Sequence, residues 1–246
     1  IGGTSIWKEV HALMPYENTI YLADSKNAPY GLKSKDEIIA LSCKNTEFLL
    51  ENNCKIIVVA CNTATTNAIK ELRAKYDVPF IGIEPAIKPA ALQSKTQKIG
   101  ILATKGTLNS ELFHKSVANH PDVTIIEQIG HGLVQLIENG DMNSAEMEEL
   151  LKSYLNPMVE KNIDYLVLGC SHYPYLIPQI KKIIPPQIKI IDSGEAVAKQ
   201  TQKILEQSHL LNLTNEKSSQ IFYTNSGPEV LKTILGNCEN VIYKNF

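Results

Sequence analysis

Lys55-Ile56-Ile57-Val58-Val59-Ala60 runs directly into Cys61-Asn62-Thr63, and Asp164-Tyr165-Leu166-Val167-Leu168-Gly169 runs directly into Cys170-Ser171-His172. Each stretch is a short apolar run of the kind that makes a strand buried on both faces, followed by a small residue, a cysteine and a polar pair. A lone cysteine at the end of such a strand is as often a small buried hydrophobe as a functional thiol. The repetition shifts the balance toward function, because the two halves of the chain place a thiol in the same way.

Outward from these two runs, short apolar segments bounded by turn residues alternate with segments of helical period, which predicts βα units and a mainly parallel sheet. Strands are expected at 19–22, 55–60, 80–83, 98–102, 123–127, 165–168, 189–191 and 219–223, and helices at 34–52, 64–76, 110–119, 144–161 and 195–207. The fold class is α/β, built as two pseudo-symmetric lobes with a cleft between them. Glu84-Pro85-Ala86-Ile87-Lys88-Pro89 resists regular structure and marks the exit from the first lobe. With a return crossing near Gly194 to Ala198, residues 1–88 plus 197–246 form the lobe that carries Cys61. Residues 89–196 form the lobe that carries Cys170.

Bulk properties narrow the function. The 246 residues are 43% hydrophobic and 20% charged, enough apolar material for a substantial core. The formal net charge of -2 offers no basic excess for nucleic acid or an anionic membrane surface, so a small-molecule partner is expected. No apolar run is long enough to cross a bilayer and no signal pattern opens the sequence, so a cytoplasmic location is expected. Cys43, Cys54, Cys61, Cys170 and Cys238 are odd in number and lack CxxC spacing, which argues for free thiols rather than disulfides or a zinc site. Cys43, Cys54 and Cys238 have no polar consensus around them and read as structural.

Ligands of open α/β sheets bind beyond the carboxyl ends of the parallel strands, which is where both paired cysteines fall. Backbone N–H groups at a following helix start favour anions, including a substrate carboxylate and a thiolate. Inverting a carbon centre without a cofactor needs a base on one face and an acid on the other. One ionised and one protonated thiol meet that need, and turnover swaps their roles.

At Cys61-Asn62-Thr63-Ala64 and Gly169-Cys170-Ser171-His172-Tyr173-Pro174 the sequence resembles the glutamate racemase family. Ala28-Pro29-Tyr30-Gly31, Ala103-Thr104-Lys105-Gly106-Thr107 and Ile191-Asp192-Ser193-Gly194-Glu195-Ala196 extend the match over nearly the whole chain. The resemblance implies a cofactor-independent isomerase with no metal that interconverts L- and D-glutamate, supplying D-glutamate for peptidoglycan; family members often form homodimers. It makes Cys61 and Cys170 the acid/base thiols, with His172 assisting Cys170. Tyr30, Gly31, Asn62, Thr63, Thr104, Thr107, Ser171 and His172 match substrate-holding positions, and Glu138 matches a carboxylate near the site. A charge after an apolar run is more often a solvated helix residue, so Glu138 carries the least weight. Asp192-Ser193-Gly194 reads equally well as a strand-end turn with a helix cap.

The sequence departs from the family pattern at two places. Family members carry a strand ending in Asp-Ser-Gly just ahead of the glycine pair, whereas this sequence opens at Ile1-Gly2-Gly3; the expectation is a longer natural protein. Ser171 stands where the family usually has Thr, which keeps the hydroxyl. Three alternatives are a related racemase or decarboxylase of the same superfamily, a Cys170/His172 nucleophilic enzyme, and a non-catalytic two-lobed amino-acid-binding protein.

Overall fold

The computed structural model describes residues 1–214, 216–237 and 240–246. In chain order its elements are α1 (Thr4–Leu13), β1 (Thr19–Ala23), α2 (Lys35–Glu51), β2 (Ile57–Val59), α3 (Asn62–Lys75), β3 (Phe80–Gly82), α4 (Ile87–Gln93), β4 (Lys98–Ala103), α5 (Lys105–Leu108) and α6 (Glu111–Ala118). There follow β5 (Thr124–Ile129), α7 (Leu133–Asn139), α8 (Ala145–Glu160), β6 (Tyr165–Gly169), α9 (Ile177–Ile183), β7 (Lys189–Ile191), α10 (Gly194–Gln207), β8 (Gln220–Thr224), α11 (Glu229–Ile234) and β9 (Val241–Tyr243).

All sheet pairings are parallel, in the orders β1-β8-β9, β2-β3 and β5-β4-β6-β7. The four-stranded sheet is covered on both faces. One face packs Leu102, Leu166 and Leu168 against Leu133, Ile137, Leu151, Leu155 and Ile180 from α7, α8 and α9. The other packs Ile99, Ile101 and Val167 against Ile87, Ala90 and Phe113 from α4 and α6. Burial on both sides is why β6 is an unbroken apolar run with all five residues buried. In the other half, α1 and α10 pack Ile6, Val10, Val197 and Leu205 with Ile81 and Ile83, while α2 and α3 pack Ile38, Ala68 and Leu72 with Ile57 and Phe80.

Each expected strand and helix coincides with an observed one to within a few residues. Seven elements were not expected: α1, α4, α5, α7, α9, α11 and β9. Residues Thr4–Leu13 form α1, an amphipathic helix that buries Ile6 and Val10. The Glu84–Pro89 stretch is only half irregular, since α4 begins at Ile87 with Pro89 in its first turn. No intrahelical bond needs the amide of that position, so proline is tolerated there. Strand β9 adds to β8 close to the end of the sequence, its three residues too few for a periodic signal. Cys238 lies outside the described residues.

The segments that follow β3 and β7 run side by side. Ser193 Oγ donates to the Glu84 carbonyl, and Gly194 N donates to Asp192 Oδ1 at 2.7 Å at the start of α10. Among the described residues the three-stranded and two-stranded sheets do not join: β1 pairs with β8 and β2 with β3. Their facing edges border one pocket, lined along β1 by Thr19 to Asp24 and along β2 by Lys55 to Cys61. No helix among the described residues is long and apolar enough to cross a membrane.

Candidate active site

Four strand ends build the site. Strand register pairs Ala103 with Gly169, so Thr104 and Cys170 step off neighbouring strands together. Across from them, Cys61 follows β2 and serves as N-cap of α3, its Sγ accepting from Ala64 N at 3.5 Å. The sequence echo is approximate at the strands, since β2 ends at Val59 and β6 at Gly169, and it is broken after them. Residues 173–176 form a 3-10 turn, and the α-helix starts only at Ile177. Pro174 suits that tight turn, and Cys170 consequently lacks the helix N-terminus that Cys61 has.

The cavity joins residues from both halves: Cys61 and Tyr30 from one, Ser171, His172 and Glu138 from the other. His172 lies between Cys170 and Glu138. Its Nδ1 is 3.7 Å from Cys170 Sγ and its Nε2 is 2.6 Å from Glu138 Oε1. An ionised carboxylate only accepts, so Nε2 carries the proton and Nδ1 offers its lone pair to the thiol. Glu138 is no solvated helix residue: its side chain is 9% exposed. Burial pushes its carboxyl upward, and the hydrogen bond from His172 draws it down, below the usual carboxylate range. Burial lowers the His172 imidazole, with the Glu138 hydrogen bond opposing. A Cβ on Gly2 would sit 2.3 Å from His172 Nδ1, so only glycine lets the backbone pass under this ring.

Both thiols are held protonated by their surroundings. Burial raises Cys170 to about 12, with the amides of His172 and Tyr173 opposing. Burial also raises Cys61, opposed by the amides of Ala64 and Thr63.

A second cluster stitches the halves together. Thr63 Oγ1 lies 2.8 Å from Thr104 Oγ1 and 3.3 Å from Thr107 Oγ1, and Thr104 and Thr107 are 3.0 Å apart. Gly31 approaches Thr104 so closely that a Cβ would stand 2.9 Å from the Thr104 Cβ. Asn62 is 2% exposed, and both its side-chain polar atoms are buried without a protein partner. Such unmet capacity is costly unless a ligand satisfies it. Ser171 is buried, and its carbonyl accepts from Ser5 Oγ at 2.7 Å.

The structure thus gathers Cys61, Tyr30, Ser171, His172 and Glu138 on one cavity and Thr63, Thr104, Thr107 and Gly31 at the adjoining contact. Cys170 reaches this group through His172 rather than lining the cavity itself. Of the remaining cysteines, Cys43 and Cys54 are free and half-buried, and Cys54 borders the cavity far along β2. Sequence reading missed Asp24, which holds the Tyr30 hydroxyl at 2.5 Å. Its signal was present: it is a charged residue just beyond a strand end, the same position as the two cysteines.

Residues 4–201 match the model of the Asp/Glu/hydantoin racemase family. The chain belongs to that family and is an isomerase of the racemase type. Among its relatives, the glutamate racemase of Herpetosiphon aurantiacus is 42% identical over 93% of this chain and 90% of its own. That of Ralstonia pickettii is 45% identical over 83% and 73%. The crystal structure of the glutamate racemase isoform RacE1 from Bacillus anthracis superposes with a TM-score of 0.89 at 29% identity, covering 100% of this chain and 94% of that one. The Escherichia coli glutamate racemase, in complex with L-glutamate and the activator UDP-MurNAc-ala, gives 0.88 at 31%, covering 99% and 94%.

Proposed function

We propose that the protein interconverts L- and D-glutamate, with Cys61 and Cys170 exchanging the Cα proton from opposite faces. The observation that carries this reading is the pair of environments: one thiol beyond β2 with helix amides around it, the other beyond β6 with an imidazole and carboxylate behind it. The glutamate racemases among its relatives support the substrate.

For one enantiomer, Cys170 passes its proton to His172 Nδ1, and Glu138 stabilises the resulting imidazolium. The thiolate removes the Cα proton while the protonated Cys61 donates to the opposite face. The other enantiomer starts with Cys61 ionised, its thiolate held by the amides of Thr63 and Ala64. Both thiols sit above neutral pH as they stand, so ionisation is coupled to binding: the substrate ammonium favours a nearby thiolate. The hydroxyls of Thr63, Thr104 and Thr107 and the unmet amide of Asn62 suit the two carboxylates. We place the lobes at 1–88 with 197–246 and at 89–196, the cleft between them holding the substrate. The product, D-glutamate, feeds peptidoglycan synthesis in the cytoplasm.

Proton NMR of L-glutamate and of D-glutamate incubated with the protein in D2O tests this directly. Loss of the Cα signal with appearance of the opposite enantiomer is the expected result. An unchanged spectrum for both enantiomers rejects glutamate as substrate. One observation favours a second reading: the Cys170–His172–Glu138 chain is also the arrangement of a nucleophilic cysteine. That reading requires a covalent burst without Cα exchange.

A further inference from the structure

Asp24 and Asn225 step off the carboxyl ends of β1 and β8 side by side, because the register of these strands ends at Ala23 opposite Thr224. Asn225 is 4% exposed and uses its whole amide: Nδ2 donates to Asp24 Oδ1 at 2.5 Å, and Oδ1 accepts from Lys26 N at 2.9 Å. Asn27 Nδ2 also donates to Asp24 Oδ1, at 2.7 Å. The other oxygen, Asp24 Oδ2, takes the Tyr30 hydroxyl. That hydroxyl is in turn approached at 3.4 Å by Asn45 Nδ2 of α2. The next residue is Gly31, whose α-carbon lies against Gly106 and Thr104 of the other half. A chain of hydrogen bonds therefore runs from the end of β8, through Asp24, to a turn of the first lobe that lies against Thr104.

We propose that Asp24 and Asn225 are positioning residues that act through Tyr30, holding the Tyr30–Gly31 turn against Thr104 and thereby setting how tightly the amino-acid substrate is bound. The proposal rests on the racemase reading above for its effect on substrate. Neither residue is needed for proton transfer, since neither contacts a thiol. A hydrogen bond to a charged carboxylate orients the ring, and its loss leaves the turn free to leave the second lobe.

The test uses Asn225→Ala, Asp24→Asn, Tyr30→Phe, the double variant Asn225→Ala/Tyr30→Phe, and the exchanged pair Asp24→Asn/Asn225→Asp. In the exchanged pair the amide and carboxylate trade places: residue 225 still accepts from Lys26 N, and residue 24 still accepts from Tyr30. Two readouts are taken on variants whose melting temperatures match the parent. In turnover, Asn225→Ala and Asp24→Asn raise KM roughly tenfold with kcat within about twofold, the loss of one charge-assisted hydrogen bond. The exchanged pair recovers most of that, and Asn225→Ala adds nothing once Tyr30 is Phe. In limited trypsin digestion, cleavage after Lys26 and Lys33 accelerates in the same variants and follows the same pattern of recovery and non-additivity. Unchanged cleavage, or an Asn225→Ala effect that persists in full with Tyr30→Phe, overturns the proposal. A protein without glutamate turnover whose cleavage follows the pattern overturns the substrate reading and leaves the latch standing.

Discussion

A buried thiol gives up its proton only if a neighbour accepts it or a ligand repays the charge, and the two cysteines here are supplied differently. Cys61 has helix amides and Cys170 has an imidazole backed by a carboxylate. Cys61→Ala and Cys170→Ala are each expected to lower racemisation by at least about a thousandfold, since each removes the only acid/base group on one face. Loss in only one of them sinks the two-thiol mechanism; circular dichroism checks that both remain folded. Glu138→Gln probes the support behind Cys170. The His172 hydrogen bond holds the Glu138 carboxyl below its ordinary 4.5 when folded, so the unfolded chain binds more protons in that acid range. Its stabilisation is complete above about pH 4.5 and is lost as pH falls below it. His172 acts in the same direction, because burial disfavours its charged form below its ordinary 6.5. Melting temperature against pH should therefore fall less steeply in this acid window for Glu138→Gln than for the parent. Equal slopes would mean that Glu138 does not carry this charge. Cys61, Cys170 and the His172 ring beside the thiol were legible as residues; the carboxylate behind the ring was legible only through resemblance, because its partner is 34 positions away.

Secondary structure followed periodicity in α2, α3, α6, α8 and α10. Helix α8 has apolar residues at helical spacing and a cap in which Ser144 Oγ accepts from Met147 N at 3.1 Å. Ser144→Ala should cost about 1 kcal/mol in urea denaturation and leave KM unchanged, as α8 lies behind the sheet from the site. A change in KM would mean that this helix reaches the substrate. The overlooked elements were those with weak local signals. β9 spans three residues, and α4 opens on a proline-bearing turn whose helical character comes from packing Ile87 and Ala90 on the sheet. α1 was passed over because its sequence follows a glycine pair without a side-chain cap. The contrast after the two cysteines belongs here as well: similar strand endings led into an α-helix in one case and a 3-10 turn in the other.

At the scale of the molecule, the strands of the four-stranded sheet are unequally knitted. Among the described residues β4 and β6 are paired on both sides, whereas β5 and β7 are its outer strands. Hydrogen exchange followed by mass spectrometry should find residues 98–103 and 165–169 better protected than 124–129 and 189–191. Equal protection would mean that the outer strands are covered in solution. What the sequence determined by itself was the α/β class, the order of the long elements and the placement of two thiols at strand ends, because burial on both faces and backbone period leave a local imprint. What only the tertiary structure decided was which side chains meet: Glu138 behind His172, Thr63 with Thr104 and Thr107, and Asn225 with Asp24 and Tyr30. Those contacts join residues distant in sequence, and they exist because parallel strands set their carboxyl ends in a row, which is a property of the sheet and of no single segment.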